Sequence, residues 1–180
     1  MRIIAGTAKG RRLVGPAGNE TRPMTDRVRE ALFSSLGPLV AGSRVLDLFA
    51  GTGSVGLEAL SRGAAGATFV ERHRGALRSL RANLAAVGLG GAVVADDVDR
   101  FLRRDAGSYD LVFVDPPYAL PLASLLETIV SLTRRVDPGG VVVIHRRVGE
   151  DLPENVADLA LTGRRRYGSA ELWRYAKENQ

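Results

Sequence analysis

From Arg44 onward, short apolar runs alternate with segments of helical periodicity. The runs are "RVLDLF" (44–49), "ATFVE" (67–71), "AVVAD" (92–96), "YDLVFVD" (109–115) and "GVVVIH" (140–145), all β-branched or apolar and bounded by turn residues. Between them, Val55 to Ser61, Arg74 to Val87, a short stretch around Val98 to Arg103, and Leu122 to Arg135 read as helices. Alternation of near-continuous apolar strands with helices predicts a parallel sheet covered on both faces. After residue 156 the pattern changes: "LALTGRRRYGSAELWRY" reads as two strands joined at Gly168 and Ser169, an antiparallel hairpin closing a seven-stranded, mostly parallel sheet. Ahead of the sheet, "TDRVREALFSSLG" predicts an amphipathic helix. Thr25 or Asp26 caps it, Val28, Leu32, Phe33 and Leu36 form its apolar face, and Gly37 and Pro38 end it. The preceding "RIIAGTAKGRRLVGP" is a hairpin or arm too short for a core of its own, which either packs on the main body or meets a partner. The expected organisation is an arm over residues 1–24 and an α/β domain over residues 25–180.

Composition removes several chemistries. The 180 residues suit a single domain; no cysteine is present, and the two histidines, His73 and His145, are too few to suggest a metal site. No apolar leader and no run near 18 apolar residues occurs, which predicts a soluble cytoplasmic protein. The net charge of +5 is concentrated at one end. Residues 1–30 carry seven basic side chains (Arg2, Lys9, Arg11, Arg12, Arg22, Arg27, Arg29) against three acids, whereas residues 31–144 balance at eleven each. An N-terminal excess of this kind suggests a phosphate-rich partner or, alternatively, a merely solvated face.

The chemistry starts at "GTGSVG", Gly51 to Gly56, which matches G-x-G-x-x-G, follows a strand and opens a helix. Such a loop brings backbone close to a nucleotide-like ligand, and Glu71 at the end of the next strand is placed for ribose hydroxyls. Asp47 separates the candidate ligands. A carboxylate four residues before Gly51 repels a pyrophosphate but suits the ammonium and sulfonium of S-adenosylmethionine (SAM). Asp97, after the third strand, can accept from an adenine amine. A strand-end cap is the competing role for Asp47, and an ordinary structural role competes for Asp97, which stands between Asp96 and Asp99.

The fourth strand ends abruptly in Asp115, Pro116, Pro117 and Tyr118, at the end of the sheet where open α/β folds bind ligands. An exocyclic nucleobase amine is a weak nucleophile because its lone pair is delocalised into the ring. The Asp115 carboxylate and the Pro116 carbonyl can accept from that amine and aim its lone pair at a sulfonium methyl. Proline fixes the carbonyl's position, and Tyr118 offers a stacking face worth about 1–3 kcal/mol.

"VLDLFAGTGSVGLEALSRGA", "FVER", "DLVFVDPPY" and "RPMTDRVREALFSSL" together resemble the RsmD family of bacterial 16S ribosomal RNA guanine-N2 methyltransferases over nearly the whole chain. The resemblance implies a class I, Rossmann-like, SAM-dependent fold. It also implies methyl transfer to N2 of one guanine in the small ribosomal subunit, with no metal and S-adenosylhomocysteine as product. Asp115, Pro116 and Tyr118 match the family's catalytic motif. Asp47, Phe49, Gly51, Gly53, Glu71, Arg72 and Asp97 match its cofactor site. The basic arm with Lys9, Arg11, Arg12, Arg22, Arg27 and Arg29 would grip RNA phosphates, with Arg164 to Arg166 as weaker candidates, in an enzyme expected to be monomeric. Two positions depart from the pattern: Ala5-Gly6 replaces paired glycines, and His145 ends the fifth strand where an acid is common.

Three other readings draw on parts of the same residues. A DNA amino-methyltransferase shares the Asp115 chemistry but usually carries a larger target-recognition region. An NAD-dependent oxidoreductase explains the glycine loop and Glu71 but leaves Asp47 and Asp115 idle. A non-catalytic RNA-binding module explains only the arm.

Overall fold

A computed structural model describes residues 1–15 and 24–178. Eight strands form one sheet in the order β3-β2-β1-β4-β5-β8-β7-β6. The parallel part contains β1 (Arg44–Leu48), β2 (Gly66–Glu71), β3 (Ala92–Ala95), β4 (Tyr109–Val114) and β5 (Val136–Arg147). The antiparallel part contains β6 (Asn155–Val156), β7 (Leu159–Tyr167) and β8 (Ala170–Lys177). The helices are α1 (Asp26–Leu36), α2 (Ser54–Ser61), α3 (Arg74–Val87), α4 (Val98–Arg104) and α5 (Leu122–Leu132).

The expected seven strands are present, and the eighth is the two-residue β6, turned back onto β7 through Ala157 at φ 52°. Two residues are too few to show a period. β5 also begins four residues before the apolar run, because "VDPGG" continues alongside β4 through an irregularity between Tyr109 and Leu111 rather than ending in a turn.

Alternating residues of each central strand serve two cores. Val45, Phe69, Leu111, Phe113, Val141 and Val143 face α1, α2, α3 and the N-terminal segment. Leu46, Leu48, Val70, Val112, Val114, Val142 and Ile144 face α4 and α5. This doubly covered arrangement explains why the parallel strands read as continuous apolar runs.

The N-terminal segment is a small hairpin docked on α2. Arg2 bridges Arg12, and Ile3, Ala8 and Leu13 are buried in the first core. The Ile4 and Ala5 N–H groups donate to the Glu58 carboxylate at 2.8 and 3.0 Å, and Thr7 N–H donates to Ser61 O at 2.8 Å. Of the Ala5-Gly6 pair, only Gly6 needs to be glycine. It has φ 84°, and a Cβ there would lie 1.7 Å from Ser61 O. Thr25 caps α1 by accepting from Val28 N–H, as expected.

Candidate active site

Strand order reverses beside β1: β2 lies on one side and β4 on the other, so the loops after β1 and β4 border one crevice. The two loops are tied directly, with Asp115 N–H donating to Leu48 O at 3.4 Å.

On the β1–β2 side the acids bind backbone amides. Asp47 is 1% exposed, and its Oδ2 accepts from Gly56 N–H at 2.9 Å. Burial pushes its carboxyl well above the usual carboxylate range; the Gly56 N–H opposes this, and the nearby charges of Asp115 and Glu71 reinforce it. Glu71 Oε2 accepts from Gly51 N–H at 2.8 Å, while Oε1 accepts from Arg72 N–H and His73 N–H at 2.8 and 2.7 Å. The loop between them turns through left-handed Phe49 (φ 59°), Gly51 (φ 55°) and Gly53 (φ 79°). The glycines divide their work. A Cβ on Gly53 would strike Leu80 at 2.3 Å and one on Gly56 would strike Phe69 at 2.4 Å, so both permit close packing. At Gly51 a Cβ would meet only Phe49 O, at 3.9 Å, which leaves that backbone approachable by a ligand.

On the β4–β5 side three consecutive residues hold the loop after β4. His145 Nδ1 lies 2.7 Å from Asp115 Oδ1. Arg146, almost fully buried, donates from Nη1 to Pro117 O (3.1 Å), from Nη2 to Leu120 O (2.9 Å) and from Nε to Glu150 (2.6 Å). The Arg147 guanidinium sits 5.0 Å from the Tyr118 ring centroid. Pro116 is buried and Tyr118 half-buried, and burial together with the Asp115 charge raises the Tyr118 phenol.

Asp47, Phe49, Gly51, Gly53, Glu71, Asp115, Pro116 and Tyr118 thus lie on the loops and strand ends of one crevice. Asp97 has local duties: Oδ1 caps α4 by accepting from Asp99 and Arg100 N–H, and Oδ2 pairs with Arg72 at 2.9 Å. Lys9, Arg11, Arg12 and Arg27 are exposed, although Arg11 also donates to Ala86 O at the end of α3. Arg22 lies outside the described residues. Arg29 corrects an expectation. It is 0% exposed and bound to Arg2 O, Asp26 and Glu58, so it joins α1, the hairpin and α2 and cannot reach a phosphate. Arg164 is committed to Glu171 on β8 and to the Trp173 ring, 3.9 Å from its centroid. Sequence reasoning missed Arg146 and Glu58. An acid inside the apolar "VGLEAL" was a signal for Glu58; nothing local marked Arg146.

Residues 1–176 match the family described as Conserved hypothetical protein 95. Ribosomal RNA small subunit methyltransferase D of Escherichia coli (strain K12) is 38% identical over 186 residues, covering 100% of this chain and 91% of that protein. The protein of the same name from Haemophilus influenzae is 34% identical, covering 86% of this chain and 84% of its own. Among solved structures, yhhF from Escherichia coli superposes with a TM-score of 0.88 at 38% identity, covering 100% of this chain and 99% of that one. SMU.776, solved as a complex with SAH, shares the fold alone, with a TM-score of 0.69, 17% identity, and 83% and 48% of the two chains covered. The sheet therefore has the architecture of SAM-dependent methyltransferases, and the chain belongs to the Conserved hypothetical protein 95 family, the RsmD family that its motifs resemble.

Proposed function

We propose that the protein transfers a methyl group from SAM to the exocyclic N2 amine of a guanine in 16S ribosomal RNA, within the assembled or partly assembled small subunit. The observation that carries this reading is the pairing, across β1 and β4, of an acid-lined glycine loop with the Asp115-to-Tyr118 turn. Asp47 and Glu71 bring two carboxyl groups together at the glycine loop, where a cationic ligand would offset their mutual repulsion. Gly51 leaves room for one. The names of the two relatives support ribosomal RNA of the small subunit as substrate.

SAM supplies a methyl group already activated by its sulfonium. Asp47 would face the ligand's positive groups, and Glu71 would accept from ribose hydroxyls. Asp97 and Arg72, joined to each other, would border the adenine, and Phe49 the loop beneath it. The Asp115 carboxylate and Pro116 carbonyl would accept hydrogen bonds from the two amine N–H groups, and Tyr118 would stack on the base, which must leave its helix or already be unpaired. With SAM bound, the amine nitrogen would take the methyl group as the C–S bond breaks, the electron pair staying on sulfur and one amine proton passing to Asp115 or to water. The N-terminal hairpin would be the RNA-contacting arm, with Lys9 and Arg12 on phosphates, Arg27 of α1 as a further contact, and Arg11 shared between RNA and α3.

The test uses small subunits from a bacterium lacking its own guanine-N2 enzyme, methyl-labelled SAM, and parallel naked rRNA and duplex DNA. N2-methylguanosine on the subunits is the expected product. Label in DNA, or as methylated adenine, would overturn the substrate while retaining the amine chemistry.

A further inference from the structure

We propose that His145 is a positioning residue that selects which Asp115 oxygen meets the target amine; this rests on the methyl-transfer reading above. β4 and β5 are in register with Val114 opposite Ile144, so Asp115 and His145 emerge side by side. Nδ1 faces Asp115 Oδ1 at 2.7 Å, and Nε2 is buried and meets no hydrogen-bonding group among the described residues. With His145 4% exposed, Asp115 is its single polar anchor there. The geometry requires the Nδ1–H tautomer: a proton on Nδ1 is received by the carboxylate, whereas one on Nε2 would be a buried donor without an acceptor, which is rare in folded proteins. Asp115 keeps a side chain 26% exposed, and with Oδ1 occupied its Oδ2 is left for substrate. A carboxylate free to rotate would misdirect the amine lone pair; the imidazole removes that freedom.

Two substitutions separate positioning from space-filling. His145→Asn keeps a donor near the Nδ1 position, and His145→Leu fills the volume without one. Positioning predicts that Leu lowers kcat by about 10- to 100-fold, with SAM affinity unchanged, while Asn restores most of it. A merely structural role predicts the reverse order. Equal kcat for Leu and wild type would overturn the proposal. Nitrogen NMR supplies a readout independent of activity, since the chain has only His73 and His145. The Nδ1–H form is expected at His145 and should be lost in Asp115→Ala. An Nε2–H form in the wild type overturns the proposal. If every form is inactive, the reaction assignment fails and the NMR result still decides the pairing.

A separate observation concerns α3, and we infer that its outer face is a second contact for the RNA backbone. Residues 72–95 contain four arginines and no acid. Arg74, Arg78 and Arg81 are exposed at helical spacing and border a shallow concavity with Leu77. None of the three forms an ion pair among the described residues. Arg74 lies in the first turn, where the helix dipole disfavours a cation, so local stability does not account for it. The second strand of the hairpin runs along this helix, with Arg11 at Ala86 and Val14 at Asn83, which joins the row to the arm. The crevice begins at Glu71, just before α3. Arg78→Glu with Arg81→Glu should weaken binding of rRNA at least tenfold and lower its salt slope by about two, as expected for two lost phosphate contacts. Arg134→Glu, on the opposite face, should change binding less, and SAM affinity should stay constant in both. Equal losses from the two faces, or no loss from α3, would overturn the surface.

Discussion

On the β1–β2 side of the crevice, acids are fixed by the backbone of the loop they serve: Asp47 by Gly56 N–H, and Glu71 by Gly51, Arg72 and His73 N–H. On the β4–β5 side the relation is inverted. The loop after β4 is held by side chains of its neighbour, with His145 on Asp115, Arg146 on the Pro117 and Leu120 carbonyls, and Arg147 over Tyr118. On the β1–β2 side, backbone amides close to each acid, together with the Gly51 amide across from Glu71, do the holding. On the function proposed above, the side that would aim a base is assembled from two strands, β4 and β5.

The comparison breaks most sharply at the two carboxylates. Asp47→Asn should weaken SAM binding by about 2–5 kcal/mol, because a charge partner is lost inside a buried site; calorimetry measures it. The same variant should be more stable than wild type at neutral pH. The native Asp47 carboxyl is raised by burial, so the native state holds its proton after the unfolded chain has released it. Wild-type stability therefore falls relative to the variant as pH rises above the unfolded carboxylate range, and levels off above the native value. Denaturant titrations across that range would show a constant difference if the Asp47 charge were not the cause. Asp115→Ala should leave SAM binding and folding intact while lowering kcat by about 10²–10³-fold, comparable to loss of one preorganised transition-state contact. Single-turnover methylation distinguishes this from a binding defect.

Arg146→Met sharpens the same contrast at smaller scale. It leaves the Pro117 and Leu120 carbonyls without their donor, at about 1–3 kcal/mol for each one that stays buried. Loss of kcat without loss of SAM affinity is expected once the variant is shown to fold. A rise in the SAM dissociation constant instead would mean that the two sides are not separately built. The smallest effect is expected at the rim. Lys9→Ala with Arg12→Ala should reduce the salt slope of RNA binding by about one per lost phosphate contact and leave SAM affinity unchanged.

Much of the fold was legible because local pattern and global topology agree. The parallel strands are buried on both faces and read as apolar runs, α3 runs over the expected residues, and Thr25 caps α1. "VDPGG" misled because proline and glycine mark turns in isolation, yet here they continue alongside β4 through an irregular register. Arg29 misled for a related reason. Its place in a basic segment suggested solvent, but docking of the hairpin on α2 encloses it beside Asp26 and Glu58, where burial lowers the guanidinium's pKa against those two charges.

The sequence by itself determined the alternation of strands and helices, the glycine loop with Asp47 and Glu71, and the Asp115-to-Tyr118 turn. Each of these is encoded within a few residues or along one chain segment, where periodicity and turn chemistry act. Only the tertiary structure decided which side chains support them. Glu58 reaches the hairpin across more than fifty residues, and His145 and Arg146 reach the β4 loop across about thirty. The Glu58 contact exists because the hairpin docks on α2, and those of His145 and Arg146 because strand order and register bring the ends of β4 and β5 together; no local pattern carries that information.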